Sequence, residues 1–72
     1  MKKYLVAYTY NAGLLGADRI YNTLEEVKEF ENWYVNHFND CDKYYIVMEI
    51  TTVKKFLRTT TTTQVIKTWA EE

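Results

Sequence analysis

The sequence predicts a small α+β domain: an antiparallel sheet of three to four strands in β-β-α-β-β order, with one amphipathic helix packed on one face. Three observations carry this. Residues 23–38, TLEEVKEFENWYVNHF, repeat apolar side chains at helical spacing. Residues 43–53, KYYIVMEITTV, are a dense run of strand formers, and residues 2–10, KKYLVAYTY, alternate aromatic with aliphatic and small side chains. At 72 residues the chain is expected to form a single domain, 1–72, around one modest core.

In the first strand Tyr4, Val6, Tyr8 and Tyr10 alternate against Leu5, Ala7 and Thr9. Apolar residues on both sides place it inside the sheet rather than at an edge. Asn11–Gly16, NAGLLG, holds both glycines and is expected to be a turn or loop, with Ala17–Tyr21 returning from it as a short second strand. The G-x-x-G spacing of Gly13 and Gly16 lacks the Lys-Ser/Thr ending of a P-loop and the longer spacing of a dinucleotide site. Its central Leu14 and Leu15 offer a phosphate nothing. They either fold back over the end of the core or project as an apolar knob for a partner.

Thr23 with Glu26 fits a capping box at the start of the helix, and Asn22 with Glu25 fits nearly as well. Glu25 and Glu26 complement the helix dipole in the first turn, and Asn39 suits a left-handed cap at the other end. Leu24, Val27, Phe30, Tyr34, Val35 and Phe38 share one face, expected to be core. Glu31 falls within that arc, where a plain reading leaves its carboxylate in water at the edge. Trp33 falls on the opposite face beside His37. It is either half covered by a loop or terminus, or it joins His37 in a partner-binding face, since Trp is enriched at interface hot spots.

In Lys43–Val53 one face carries Tyr44, Ile46, Met48 and Ile50, which is expected to meet the helix. The other carries Tyr45, Val47, Glu49, Thr51 and Val53, which Glu49 marks as partly wet. Lys54–Arg58, KKFLR, reads as a basic connection with Phe56 and Leu57 tucked inward. Five threonines, Thr59–Thr63, continue through Gln64 to Trp69 as a last strand antiparallel to the previous one. The alternative is a short terminal helix from Gln64, because Val65 and Trp69 are four apart. A polar threonine strand at a sheet edge is also able to pair with a second copy through Thr59–Trp69.

Chemistry-bearing residues are sparse. His37 is the only histidine and Cys41 the only cysteine. They are four apart, but no second pair completes a tetrahedral metal site, and Asn39–Asp42 lacks the glycine and distal glutamate of a calcium loop. No acid–base pair for catalysis is evident, so neither an enzyme, a metal nor a cofactor is expected. A lone cysteine rules out an intrachain disulfide and fits a reducing compartment. Two lysines without a following apolar run do not make a signal peptide, and no segment has the length to span a bilayer. A cytoplasmic protein without membrane contact is therefore expected.

Net charge is −1, which predicts neither strong nucleic-acid attraction nor nucleic-acid mimicry. The charge is polarised: Glu25, Glu26, Glu29, Glu31, Asp40 and Asp42 make the middle acidic, and Lys54, Lys55, Arg58 and Lys67 make the last third basic. Nucleic-acid binding remains an alternative, in which Tyr8, Tyr10 and Tyr45 stack bases beside Lys54, Lys55 and Arg58. Lysine outnumbers arginine seven to two and proline is absent, a bias expected of AT-rich coding in a low-GC bacterium or its phage.

The succession YLVAYTY, glycine loop, TLEEVKEFENW and YYIVMEI resembles the small uncharacterised ββαβ-type accessory proteins of phages of low-GC bacteria. The resemblance covers roughly Lys3–Ile50, leaves the threonine-rich tail unmatched and transfers no functional residue. It implies a small protein that acts by binding, for instance by inhibiting a host or defence protein such as a CRISPR nuclease. The physical reading points to the same class. A short chain with surplus aromatics and an apolar loop is expected to be a non-enzymatic protein-binding module, using Leu14, Leu15, Trp33, His37 and Trp69. The remaining alternative is a structural homodimer, or a small-molecule-sequestering protein with its site at such an interface.

Overall fold

The computed structural model describes residues 1–10, 15–38 and 42–71, with the side chains of residues 15–17 left aside. Strands β1 (Lys2–Thr9), β2 (Leu15–Tyr21), β3 (Tyr44–Lys55) and β4 (Arg58–Ala70) form one sheet, and helix α1 spans Leu24–His37 between β2 and β3. The spatial order is β2-β1-β3-β4, with every neighbouring pair antiparallel. The fold is thus α+β in β-β-α-β-β order with one helix on one face. β1 lies inside the sheet. The threonine run is strand, so a terminal helix from Gln64 does not form.

Helix α1 begins where the capping residues place it. Thr23 is extended (φ −136°, ψ 158°), and its Oγ1 accepts the Glu26 N–H at 3.2 Å. That satisfies one of the free amides of the first turn, beside the acidic pair Glu25 and Glu26. The helix gives way to extended backbone at Phe38, and the expected cap at Asn39 lies outside the described residues. At this end the Lys43 ammonium donates to the Val35 carbonyl at 2.7 Å and pairs with Glu71 at 3.2 Å. A nearly buried lysine therefore serves one of the last carbonyls, where positive charge is favoured.

The core is a layer of rings and valines between α1 and the two central strands. Tyr4, Val6 and Tyr8 of β1 and Tyr45 and Val47 of β3 meet Val27, Phe30, Tyr34 and Phe38. The register pairs Val6 with Val47 and Tyr8 with Tyr45, so the even residues of β1 and the odd residues of β3 share the helix side. This corrects the expected orientation of β3. Tyr44, Ile46, Met48 and Ile50 do not meet the helix; they lie on the other face of the sheet. Both faces of β3 are apolar near its start, so alternation alone does not choose between them. Glu49 is tolerated on the helix side because it pairs with Tyr4 near the beginning of β1, where it forms a salt bridge with Lys2 at 3.4 Å.

Three smaller expectations are also corrected. Leu24 is 44% exposed, because the buried arc centres on Val27, Phe30, Tyr34 and Phe38 and Leu24 lies roughly 75° from that centre at ~100° per residue. The Glu31 carboxylate is not left in water: it accepts hydrogen bonds from the Tyr45 hydroxyl and the Lys67 ammonium. Phe56 and Leu57 are not tucked inward; they are 93% and 92% exposed. β3 and β4 continue past β1, whose last ladder partner on β3 is Thr51, so nothing among the described residues lies beneath the tip. The long hairpin makes the molecule 47 × 22 × 16 Å.

Candidate functional site

The side of the sheet away from α1 has no covering element among the described residues. Its composition follows from the register. Ile20 pairs with Leu5, Leu5 with Met48, and Met48 with Val65, so one apolar row crosses all four strands. A neighbouring row runs Asp18, Ala7, Ile46 and Thr68, and on the other flank Lys3, Ile50 and Thr63 follow one another. The ends of the central row are open, with Ile20 61% and Val65 54% exposed, while Leu5 and Met48 are half-buried by their neighbours. Charge is confined to the margin, at Lys3, Asp18 and, further along the hairpin, Lys54.

A second surface lies along the flank of α1. Trp33 is 42% exposed and packs against Phe30 and Phe38, with ring centroids 6.1 and 5.8 Å away. Arg19 of β2 reaches over it, its guanidinium 5.9 Å from the Trp33 ring and 5.8 Å from Phe30, a cation–π arrangement. Hydrogen bonding to Tyr21 and then to Tyr8 raises the pKa of that guanidinium. His37, one turn after Trp33, is exposed, and Tyr10 lies half open against Phe38.

The residues named for protein binding are not brought together. Trp33 and His37 sit on the flank of α1 that faces β2, whereas Trp69 lies on β4 at the far side of the sheet, stacked on Tyr45 at 5.5 Å. Leu14 lies outside the described residues, and Leu15 begins β2 opposite Thr9. The face named for nucleic acid is also divided. Tyr8 and Tyr45 are buried under the helix, so their rings cannot stack on bases. Lys54, Lys55 and Arg58 surround the hairpin tip, nine residues along β3 from Tyr45, or ~30 Å of strand. Burial, and then the hydrogen bond and charge of Glu31, push the Tyr45 phenol well above its usual pKa.

Among the described residues no group of three or more His, Cys, Asp and Glu is placed to hold a metal ion, and no ligand-sized cavity opens. Cys41, the expected companion of His37, lies outside them. No described helix is long and apolar enough to cross a membrane. Sequence reasoning missed Arg19 and the four-strand row. The signal for the row was present in Leu5, Ala7 and Ile20, but it is visible only when the register of three strand pairs is known. No family model, curated protein or solved structure matches the chain.

Proposed function

We propose that this protein acts by binding another protein, not by catalysis, and that the open sheet face is its docking surface. The observation that carries the reading is the row Ile20–Leu5–Met48–Val65, apolar across the whole sheet and covered by nothing among the described residues. An apolar centre with a polar margin is the anatomy of a protein interface. Here Leu5, Ile20, Ile46, Met48 and Val65 form the centre, and Lys3, Asp18, Lys54 and the threonines of β4 form the rim. At about 4.8 Å between strands and about 3.4 Å per residue, the face has a flat footprint of roughly 600 Å² before side-chain relief is added. A specific interface needs about 800 Å² per partner, so docking engages the face over most of its length.

The rim has two positive groups against one negative, which fits a partner whose apolar patch is edged by acidic side chains. The resemblance to small phage accessory proteins supports a host or defence protein as that partner, with the present chain as its inhibitor or adaptor.

The test is a tagged pull-down from a low-GC bacterial lysate, with and without nuclease, using the wild-type chain and the variants Ile20→Lys and Met48→Lys. One stoichiometric protein that survives nuclease and is lost from both variants is the expected result. Equal recovery by wild type and both variants overturns the proposed surface. Recovery of nucleic acid alone overturns the protein-binding reading.

A further inference from the structure

The backbone of the β3–β4 hairpin shows which way the edge groups of β4 point. The Thr52 N–H donates to the Met1 carbonyl at 2.8 Å, and the Met1 nitrogen donates to the Thr52 carbonyl at 2.9 Å. Both peptide groups of Thr52 therefore face β1. In an antiparallel ladder, hydrogen-bonded and non-hydrogen-bonded pairs alternate, so Thr52 and its partner Thr61 form a non-hydrogen-bonded pair. The N–H and C=O of Thr61 consequently point off the outer edge of the sheet, and those of Thr59 and Thr63 point the same way. No strand adjoins that edge among the described residues.

Edges of this length are normally blunted by proline, a bulge or inward charge. Between Arg58 and Val65 this one has none of them; the first irregularity is the bulge at Ile66, where Val47 pairs with Lys67 and Met48 with Val65. Its residues are almost all threonine, which favours strand and offers no like-charge repulsion to a copy of itself.

We infer that β4 is a self-pairing edge: two copies of the chain join β4 to β4, antiparallel, about a two-fold axis at Thr61. Five threonines in a row do not select a register, but the exposed apolar residues around them do. Leu57, the turn residue that leads into β4, and Val65 lie four residues either side of Thr61. Both are exposed, Leu57 at 92% and Val65 at 54%. A two-fold axis at Thr61 sets Leu57 beside the partner's Val65. Moving the axis to Thr60 sets Leu57 against the partner's Thr63, and moving it to Thr62 carries Leu57 past the bulge to the partner's Lys67. Of these three axes, only the one at Thr61 sets Leu57 against an apolar residue.

In that register Arg58 faces the partner's Gln64, and the threonines face one another. Thr59, Thr61 and Thr63 supply about six backbone hydrogen bonds across the axis, two for each hydrogen-bonded pair. The product is a continuous eight-stranded sheet with both helices on one side and the two open faces merged on the other. The turn holds Leu57 at φ 64°, a left-handed conformation unfavourable for a residue with a Cβ, and the two-fold axis gives its exposed side chain an apolar neighbour.

The experiment is sedimentation equilibrium of the purified full chain from micromolar to millimolar concentration. The chain mass is 8.7 kDa, and the expected species is twice that. Thr61→Pro removes an N–H that points outward and leaves the β3 ladder intact, so the expected variant sediments at the single-chain mass with an unchanged circular dichroism spectrum. Leu57→Lys alone is expected to weaken the dimer at least tenfold, and Leu57→Lys combined with Val65→Glu to restore it, because each lysine then meets a partner glutamate. This charge pair decides the register even if Thr61→Pro does not fold. Ile20→Lys lies on the opposite edge of the sheet and stays dimeric, which separates this inference from the docking surface. A wild-type chain that remains at the single-chain mass throughout overturns self-pairing and leaves the edge to a strand of a different protein. A dimer that the double charge substitution fails to rescue overturns the register.

Discussion

Removing one hydroxyl from the centre of the core tests how the helix is fastened to the sheet. Tyr34 has no exposed surface; its ring stacks on Phe30 and Phe38 at 5.4 and 5.0 Å and meets Tyr8 edge-on. Its hydroxyl donates to the Thr9 carbonyl at 2.7 Å and is hydrogen-bonded to Thr9 Oγ1 at 2.6 Å. Each hydroxyl has one proton, so with the Tyr34 proton on the Thr9 carbonyl the Thr9 hydroxyl donates either to the Tyr34 oxygen or to the Asp42 carbonyl at 3.0 Å, and its oxygen accepts the Tyr44 N–H at 3.1 Å. One network thus ties α1, the end of β1 and the entry to β3. Tyr34→Phe keeps the ring contacts and removes the two hydroxyl bonds. At about 0.5–1.5 kcal/mol each, with an added penalty for dry polar groups, the loss is about 2 kcal/mol. A 72-residue domain is typically stable by ~4–11 kcal/mol, so this is a large share, equivalent to a fall of roughly 8–16 °C in Tm. Urea denaturation followed by circular dichroism measures it, with an unchanged slope expected. Thr9→Val should be non-additive with Tyr34→Phe by at least ~0.5 kcal/mol, because the two side chains share bonds. A loss below ~0.5 kcal/mol, or full additivity, would refute the network as a fastening.

Three further outcomes follow from the same packing. Lys43→Met removes the donor to the Val35 carbonyl and the Glu71 ion pair, and is expected to cost about 1 kcal/mol in urea, since regained desolvation offsets part of the loss. In the single-chain Thr61→Pro background, Leu57→Gly relieves the left-handed strain at φ 64° and is expected to stabilise the chain by ~0.5–1 kcal/mol in the same assay, the glycine's unfolded-state entropy offsetting the rest. The folded Tyr45 phenol holds its proton more tightly than the unfolded one, so its stabilising contribution is complete below pH ~10 and is lost as pH rises above that. Alkaline denaturation should therefore be shallower in Tyr45→Phe than in wild type.

The open face and the β4 edge adjoin on one sheet and share Val65. If both are used, a dimer presents the docking row twice in one plane, and a partner able to bridge the two copies gains from the second contact without any new chemistry.

What the sequence determined by itself is the set of elements and their type. Thr23 with Glu26 names the helix start, the spacing of Val27, Phe30, Tyr34 and Phe38 names its buried side, and the runs at 2–10, 43–53 and 59–69 name three strands. These signals are local: a cap needs three residues and a periodicity needs about a dozen. What only the tertiary structure decided is which way each strand faces and what lies beneath each segment. Tyr44, Ile46, Met48 and Ile50 are as apolar as Tyr45 and Val47, yet the single helix covers only one side, and shifting the choice by one residue exchanges the two sets. The same holds for Phe56 and Leu57, whose exposure depends on β1 ending before the hairpin does. The row Ile20–Leu5–Met48–Val65 joins four strands separated along the chain. Strand register across those distances is set by the packing of the whole layer, and no local pattern contains it.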